Sequence, residues 1–171
     1  MAEARVAAAP VARKGGGQGE MLLRWWGRLA GVPGGKWAFS KLVGWKAPYS
    51  GSVKPRVEEL APGWCRVAIR NGLRSAHRSR IHAVALLNVA EAASGLATLA
   101  ALPGDVRGII TRLEIEFSKK ARGRITADCR TSPPANIEAP TPHVAEVTLT
   151  DESGDPVALA RATWTLAPTP R

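Results

Sequence analysis

Cysteine is nearly absent from this chain, with two residues in 171, Cys65 and Cys129. That excludes a disulfide-stapled secreted scaffold, and neither thiol has the spacing of a metal ligand, so no metal site is expected. Each falls at an apolar position of a predicted strand, and both read as reduced core thiols of a cytoplasmic protein. Acidic residues are also few, 14 against 24 Lys and Arg, which leaves a net charge of +10 and predicts anionic partners. Over half of that excess sits in residues 1–46, where Arg5, Arg13, Lys14, Arg24, Arg28, Lys36, Lys41 and Lys46 face only Glu3 and Glu20. Nucleic acid would satisfy the charge, yet no recognition motif accompanies it and no such partner is expected. A secretory signal is missing as well, since VAAAPVA is too short and too interrupted by Pro for an apolar signal core. GGGQG at 15–19 lacks the GK[ST] ending of a phosphate loop and reads as a linker.

Long hydrophobic runs are limited to one, HAVALLNVAEAASGLATLAAL at 82–102, whose single charge is Glu91. About 20 apolar residues suffice to cross a bilayer. This run is rich in Ala rather than Leu or Ile and carries a central acid, which costs roughly 2.5–3.5 kcal/mol on insertion scales, so a buried soluble helix is expected instead. At 100° per residue, Asn88, Glu91, Ser94, Gly95 and Thr98 share an arc with Val84 and Leu87, while Leu86, Val89, Ala93, Leu96 and Ala100 form an apolar stripe. Pro103-Gly104 ends the helix. An isolated carboxylate in such a segment is costly unless used, which makes Glu91 the leading functional candidate.

Three parts follow from the pattern. Residues 1–19 read as a disordered basic tail. Residues 20–50 read as an N-terminal arm, with an amphipathic helix over 20–30 in which Met21, Leu22, Trp25, Trp26 and Leu29 recur at helical spacing, and with loop and turn from 31 to 50. Residues 51–168 form the main domain, where the period changes to two. There Cys65/Val67/Ile69, Ile109/Thr111/Leu113/Ile115/Phe117, Ile125/Ala127/Cys129, Ala145/Val147/Leu149 and Ala158/Ala160/Ala162/Trp164/Leu166 alternate with polar residues. Residues 53–60 make a weaker edge strand interrupted by Pro55. DESGD at 151–155 supplies a hairpin turn, and the Pro-rich 132–142 a longer loop. The order is helix, two strands, one long apolar helix, four strands. The expected class is α+β, an antiparallel sheet of about six strands wrapped around one central helix.

The segment RIHAVALLNVAEAASG resembles the central-helix signature of hotdog-fold thioesterases of the phenylacetate-degradation type, in which a helix-opening His is followed nine residues later by Asp or Glu and four residues after that by Gly. Here these are His82, Glu91 and Gly95. PYSGSVKPRVEELAPGWCRVAIR and EFSKKARGRITADCR resemble the uncharacterised, domain-of-unknown-function branch of that superfamily. The resemblance implies an acyl-CoA thioesterase, working as a dimer or dimer of dimers, with no cofactor beyond the coenzyme A of its substrate. It also implies a site shared between subunits. Nine helical residues rise about 13.5 Å, so His82 and Glu91 of one chain cannot both touch one carbonyl, and two antiparallel copies must meet. The small residues Ser94 and Gly95 on the polar arc would let the second helix approach closely.

In that site the first backbone N–H groups of the helix, at Ala83 and Val84, would cradle an oxyanion. Glu91 of the partner would serve as general base or nucleophile, His82 would orient the carbonyl, and Asn88 would hold the carboxylate or a water. Thr111 lies near the position of an assisting Ser in some thioesterases, which here falls at Ile110. Lys119, Lys120 and Arg122, with Arg124, cluster at a turn and are candidates for coenzyme A phosphates; a solvated hairpin tip is the alternative. His77 and His143 are expected in loops without partners. Two departures from the resembled pattern keep a non-catalytic acyl-ligand-binding protein open: Ser75-Ala76-His77 stands where relatives have Arg-Asn-His, and Ala83-Val84 where close relatives have Gly-Gly. Trp25, Trp26, Trp37 and Trp45 with interleaved cations fit peripheral membrane contact, though a helix packed on its own domain is the expected outcome.

Overall fold

The computed structural model describes residues 17–70, 76–77 and 80–170. The expected tail therefore lies outside the described residues up to residue 16, as does Ser75 of the departing tripeptide, and at Ala76 and His77 the backbone alone is described. Residues 17–19 are not tail. Gln18–Leu29 is helix α1, and Gly19 is buried so closely against α4, the long helix Ala83–Ala101, that a Cβ there would sit 2.0 Å from the Leu99 carbonyl oxygen.

Six strands build one sheet: β1 (Arg56–Ala61), β2 (Trp64–Arg70), β5 (Val106–Phe117), β6 (Arg124–Arg130), β7 (Thr141–Thr150) and β8 (Pro156–Pro168). Their order is β1-β2-β6-β7-β8-β5, every pair antiparallel, and β3 (Ala76–His77) and β4 (Arg80–Ile81) form a separate two-stranded ribbon. Period-two patterning places Val67, Ile125, Ala127, Val147, Leu149, Ala160 and Leu166 wholly inside on the face that receives α4. The sheet wraps its one long helix in a hotdog fold, as the sequence predicted. The apolar run is thus the core helix, with Val89, Ala90, Ala93 and Ala97 fully buried.

Three expectations need correction. The first is the 31–50 loop, which is mostly helical: α2 spans Gly35–Lys46 and α3 Pro48–Gly51. Its sequence has two glycines at the start and no acidic residue in the first turn, so local propensity is weak; the helix is held from outside. Phe39 is fully buried and meets Trp26 edge-on at a centroid distance of 5.1 Å, with Val43 packed one turn further on. Second, β5 does not keep one alternation. A bulge between Ile110 and Arg112 shifts the faces by one residue, so Ile110, Leu113 and Ile115 pack on the core while Ile109 and Phe117 are exposed. Third, the small-residue arc of α4 is not open to a partner helix. Ser94 and Thr98 are fully buried within the protomer, and the Trp164 ring lies 3.1 Å from where a Gly95 Cβ would be. The two cysteines are core thiols as expected: Cys65 and Cys129, distant in sequence, are direct cross-strand partners of β2 and β6, both buried and both free.

Candidate active site

α4 begins on a His cap. His82 is extended at the N-cap, and its ring Nδ1 accepts a hydrogen bond from the Val84 N–H at 3.1 Å. This fixes the ring as an acceptor at Nδ1 and leaves Nε2 directed elsewhere on an exposed side chain. The cap also uses up one of the two expected oxyanion donors, Val84. Among the described residues the Ala83 N–H has no acceptor, so it alone of that pair is available, at the positive end of a 19-residue helix.

Two turns further on, the arm predicted as loop closes over the polar side of α4. The Ser50 hydroxyl donates to Glu91 Oε2 at 3.2 Å, and the Asn88 side-chain amide donates to the Tyr49 carbonyl at 3.4 Å. Asn88 is buried and its Oδ1 has no partner, whereas Glu91 is half-buried. An unpaired buried amide oxygen costs about 1–3 kcal/mol, so Asn88 retains an unused acceptor inside the protomer, one helical turn from Glu91. Asn88 and Glu91 are therefore brought together under α3, while along the same helix His82 stays about 13.5 Å and Ala83 about 12 Å from Glu91. Ser50 and Tyr49 were not anticipated from the sequence. The signal for them is Pro48, which presets the first residue of a helical turn just before both.

The other candidates divide. Thr111 is the bulge residue of β5, exposed, its hydroxyl donating to the Thr163 carbonyl at 3.2 Å. The segment 118–123 lies beside the α4 N-terminus, because the Ile81 N–H donates to the Ala121 carbonyl at 3.0 Å. Lys120 and Arg122 flank Ala121 there and are exposed. Lys119 is already committed, at 2.7 Å to Asp151 and 2.6 Å to Asp155 of the β7–β8 turn. Neither remaining His is in a loop: His77 belongs to β3, and His143 in β7 shares a 2.6 Å hydrogen bond with the Thr131 hydroxyl. No group of three or more His, Cys, Asp or Glu fit to hold a metal occurs among the described residues.

Residues 35–166 match a family defined as a domain of unknown function, DUF4442. The chain belongs to that family. No curated protein matches it. Among solved structures it is similar to a structural-genomics target, at 26% identity and a TM-score of 0.75, over 87% of this chain and 99% of that one. It is also similar to a protein of unknown function from Pseudomonas aeruginosa named as a probable thioesterase, at 22% identity and a TM-score of 0.66, over 75% and 93% of the two chains. A thioesterase from Haemophilus influenzae matches at 14% identity and a TM-score of 0.62, over 72% and 85%. At those identities the last two speak to fold: this DUF4442 chain has the hotdog fold that thioesterases share.

Proposed function

We propose that this DUF4442 protein is an acyl-CoA thioesterase acting as a homodimer or dimer of dimers in the cytoplasm, with no cofactor beyond the coenzyme A of its substrate. The observation that carries this reading is Glu91, the one charge of the core helix, held half-buried by Ser50 beside the unpaired Asn88 oxygen. Its carboxylate takes a proton from a water that adds to the thioester carbonyl, or attacks that carbonyl itself to give an anhydride that water then hydrolyses. The Ala83 N–H at the helix start of the other protomer donates to the oxyanion, whose collapse breaks the C–S bond and releases coenzyme A as the thiolate, which takes up a proton. His82 orients the carbonyl, and Lys120 and Arg122 stand beside the helix start that receives it. A second copy is favoured by the β5 edge: twelve residues, bonded on one side only by β8, with Ile109 and Phe117 half-exposed. A long bare edge of this kind calls for a partner strand. Two buried free thiols facing each other across β2 and β6 fit a reducing compartment.

One observation favours the second reading, a non-catalytic acyl-ligand-binding protein: capping by His82 leaves a single free N–H where an oxyanion hole ordinarily uses two. Purified protein incubated with acyl-CoA thioesters of graded chain length decides between them. Turnover that falls by about 10²-fold or more in Glu91→Gln supports the enzyme, since general-base roles are worth about 10²–10⁴. Saturable binding without turnover supports the binding protein.

A further inference from the structure

A groove of about 950 Å³ runs along the outer side of α2 and α3, at the β1 edge of the sheet, away from β5. Helical geometry builds one wall. With Phe39 and Val43 turned to the core, Trp37, Lys41 and Trp45, spaced by four, share the opposite face. Both indoles are exposed, Trp37 by 60% and Trp45 by 74%, and the Lys41 ammonium lies 5.6 Å from the Trp37 ring centroid. Lys54, Arg56 and Arg124 supply the other wall. The one acid among the described lining residues, Glu58, is taken by Arg124.

Two backbone features shape the groove. Lys54 holds a left-handed backbone, φ +53, the only non-glycine among the described residues to do so, in the turn after α3 where its N–H donates to the Gly51 carbonyl at 3.0 Å, and this sets its side chain on the groove. Gly44 and Gly51 let α2 and α3 touch at the base, since a Cβ on Gly51 would meet the Gly44 carbonyl oxygen at 2.6 Å. α3 is also a shared wall. Pro48 and Gly51 face the groove, while between them the Tyr49 carbonyl and the Ser50 hydroxyl meet Asn88 and Glu91 on the other side.

Flat aromatic faces beside Lys41, Lys54 and Arg56, none of them in an ion pair among the described residues, select a ligand that is planar at one end and multiply anionic next to it. Nucleobases stack on exposed aromatics, and phosphates take charge-assisted hydrogen bonds from Lys and Arg. We propose that the groove binds the phosphorylated nucleotide end of a coenzyme A thioester, with the base against Trp37 and Trp45 and the phosphates on Lys41, Lys54 and Arg56. This rests on the thioesterase reading for the identity of the ligand. The pantetheine arm then passes α3, a helix about 10 Å across, to bring the thioester to Glu91. The nucleotide is held by the protomer that supplies the carboxylate.

Calorimetry on the full chain tests this with coenzyme A, adenosine 3′,5′-bisphosphate and pantetheine as separate ligands. Coenzyme A and the bisphosphate compete for one site, and pantetheine binds at least tenfold more weakly. Trp45→Ala, Lys41→Gln and Lys54→Asn, the last keeping a residue tolerant of positive φ, each weaken coenzyme A about tenfold. They also lower the preference for acyl-CoA over acyl-pantetheine in kcat/KM by a similar factor. Arg28→Gln, an exposed cation outside the groove, leaves binding unchanged. Coenzyme A affinity indifferent to all three groove variants, or lost instead in Lys120→Gln with Arg122→Gln, overturns the assignment. So does sedimentation with anionic phospholipid vesicles that depends on Trp45 while coenzyme A binding does not. Failure of the thioesterase reading looks different: the bisphosphate binds through Trp45 and Lys41, and no thioester is turned over.

Discussion

Replacing Gly95 with alanine tests how the central helix is seated, and with it how a shared site can be assembled. The added methyl carbon would lie 3.1 Å and 3.3 Å from two atoms of the Trp164 ring. Ordinary carbon contacts are about 3.5–4.0 Å, so the ring must retreat by roughly half an ångström. Trp164 is only 6% exposed and sits in β8 with Ile110 of β5 on one side and His143 of β7 on the other. Overpacking of this kind costs about 1–3 kcal/mol. Against it, alanine is better than glycine in a helix interior by about 0.8–1.0 kcal/mol. The net is a loss of about 0–2 kcal/mol, and each kcal/mol lowers Tm by about 2–4 °C in a domain of this size. Gly95→Val adds two more carbons with a smaller propensity gain, and should cost about 2 kcal/mol or more. Urea denaturation of both variants beside size-exclusion chromatography gives the answer. If Gly95→Ala raises stability by the full propensity gain and Gly95→Val is tolerated, the face is open. If Gly95→Val dissociates an oligomer without weakening the protomer, the face is intermolecular. Either result refutes the packing described here.

Further expectations concern the arm and the titrating groups. Ser50→Ala should lower thioester turnover by less than tenfold, far less than Glu91→Gln, because it removes one 3.2 Å hydrogen bond and leaves the carboxylate in place; equal losses would make Ser50 part of the chemistry. Phe39→Ala should cost about 3–5 kcal/mol in urea unfolding, since the ring is fully buried, and a loss under 1 kcal/mol would show that α2 is not anchored through it. Burial holds the His143 imidazole below its ordinary 6.5, so its neutral form is favoured in the fold. Its contribution to stability is complete above pH 6.5 and lost as pH falls through the lower folded value; His143→Gln should flatten urea midpoints measured below pH 6.5, and an unchanged slope would remove His143 from the account. Burial also pushes both thiols up, Cys129 to about 12 and Cys65 higher, so native protein at pH 8 should resist a thiol-specific alkylating reagent until it unfolds.

What the sequence made legible is tied to periodicity. A 19-residue apolar helix and strands alternating at period two announce a sheet around a helix, and the β2, β6, β7 and β8 core positions follow at once. The β5 faces did not, because a bulge leaves no mark in the residue pattern: Ile109 and Ile115 look equivalent until Thr111 takes the extra position. α2 was hidden for a different reason. Its stability comes from Phe39 on Trp26, a contact between residues that say little alone. The site suffered from the same gap. Glu91 stood out as an isolated charge, but its neighbour Ser50 belongs to α3, four residues long, below the reach of any periodicity. Gly95 marked the helix correctly, yet the ring that it accommodates lies 69 residues away in the chain, which no local pattern encodes.

The position of α4 in the chain has a consequence for synthesis. The helix is complete at Ala101, when only β1 and β2 of its sheet precede it. The pairing that completes the floor of its cradle, β2 with β6, and the strands β7 and β8 that follow, come from residues 124–168. Until those emerge from the ribosome, at about 5–20 residues per second, the most apolar segment of the molecule has no sheet to enter. For a few seconds it presents a surface of Leu, Val and Ala that any lipid face or chaperone groove can engage. Glu91 then has a second use, as the charge that makes insertion of the waiting helix into a bilayer unfavourable by roughly 2.5–3.5 kcal/mol.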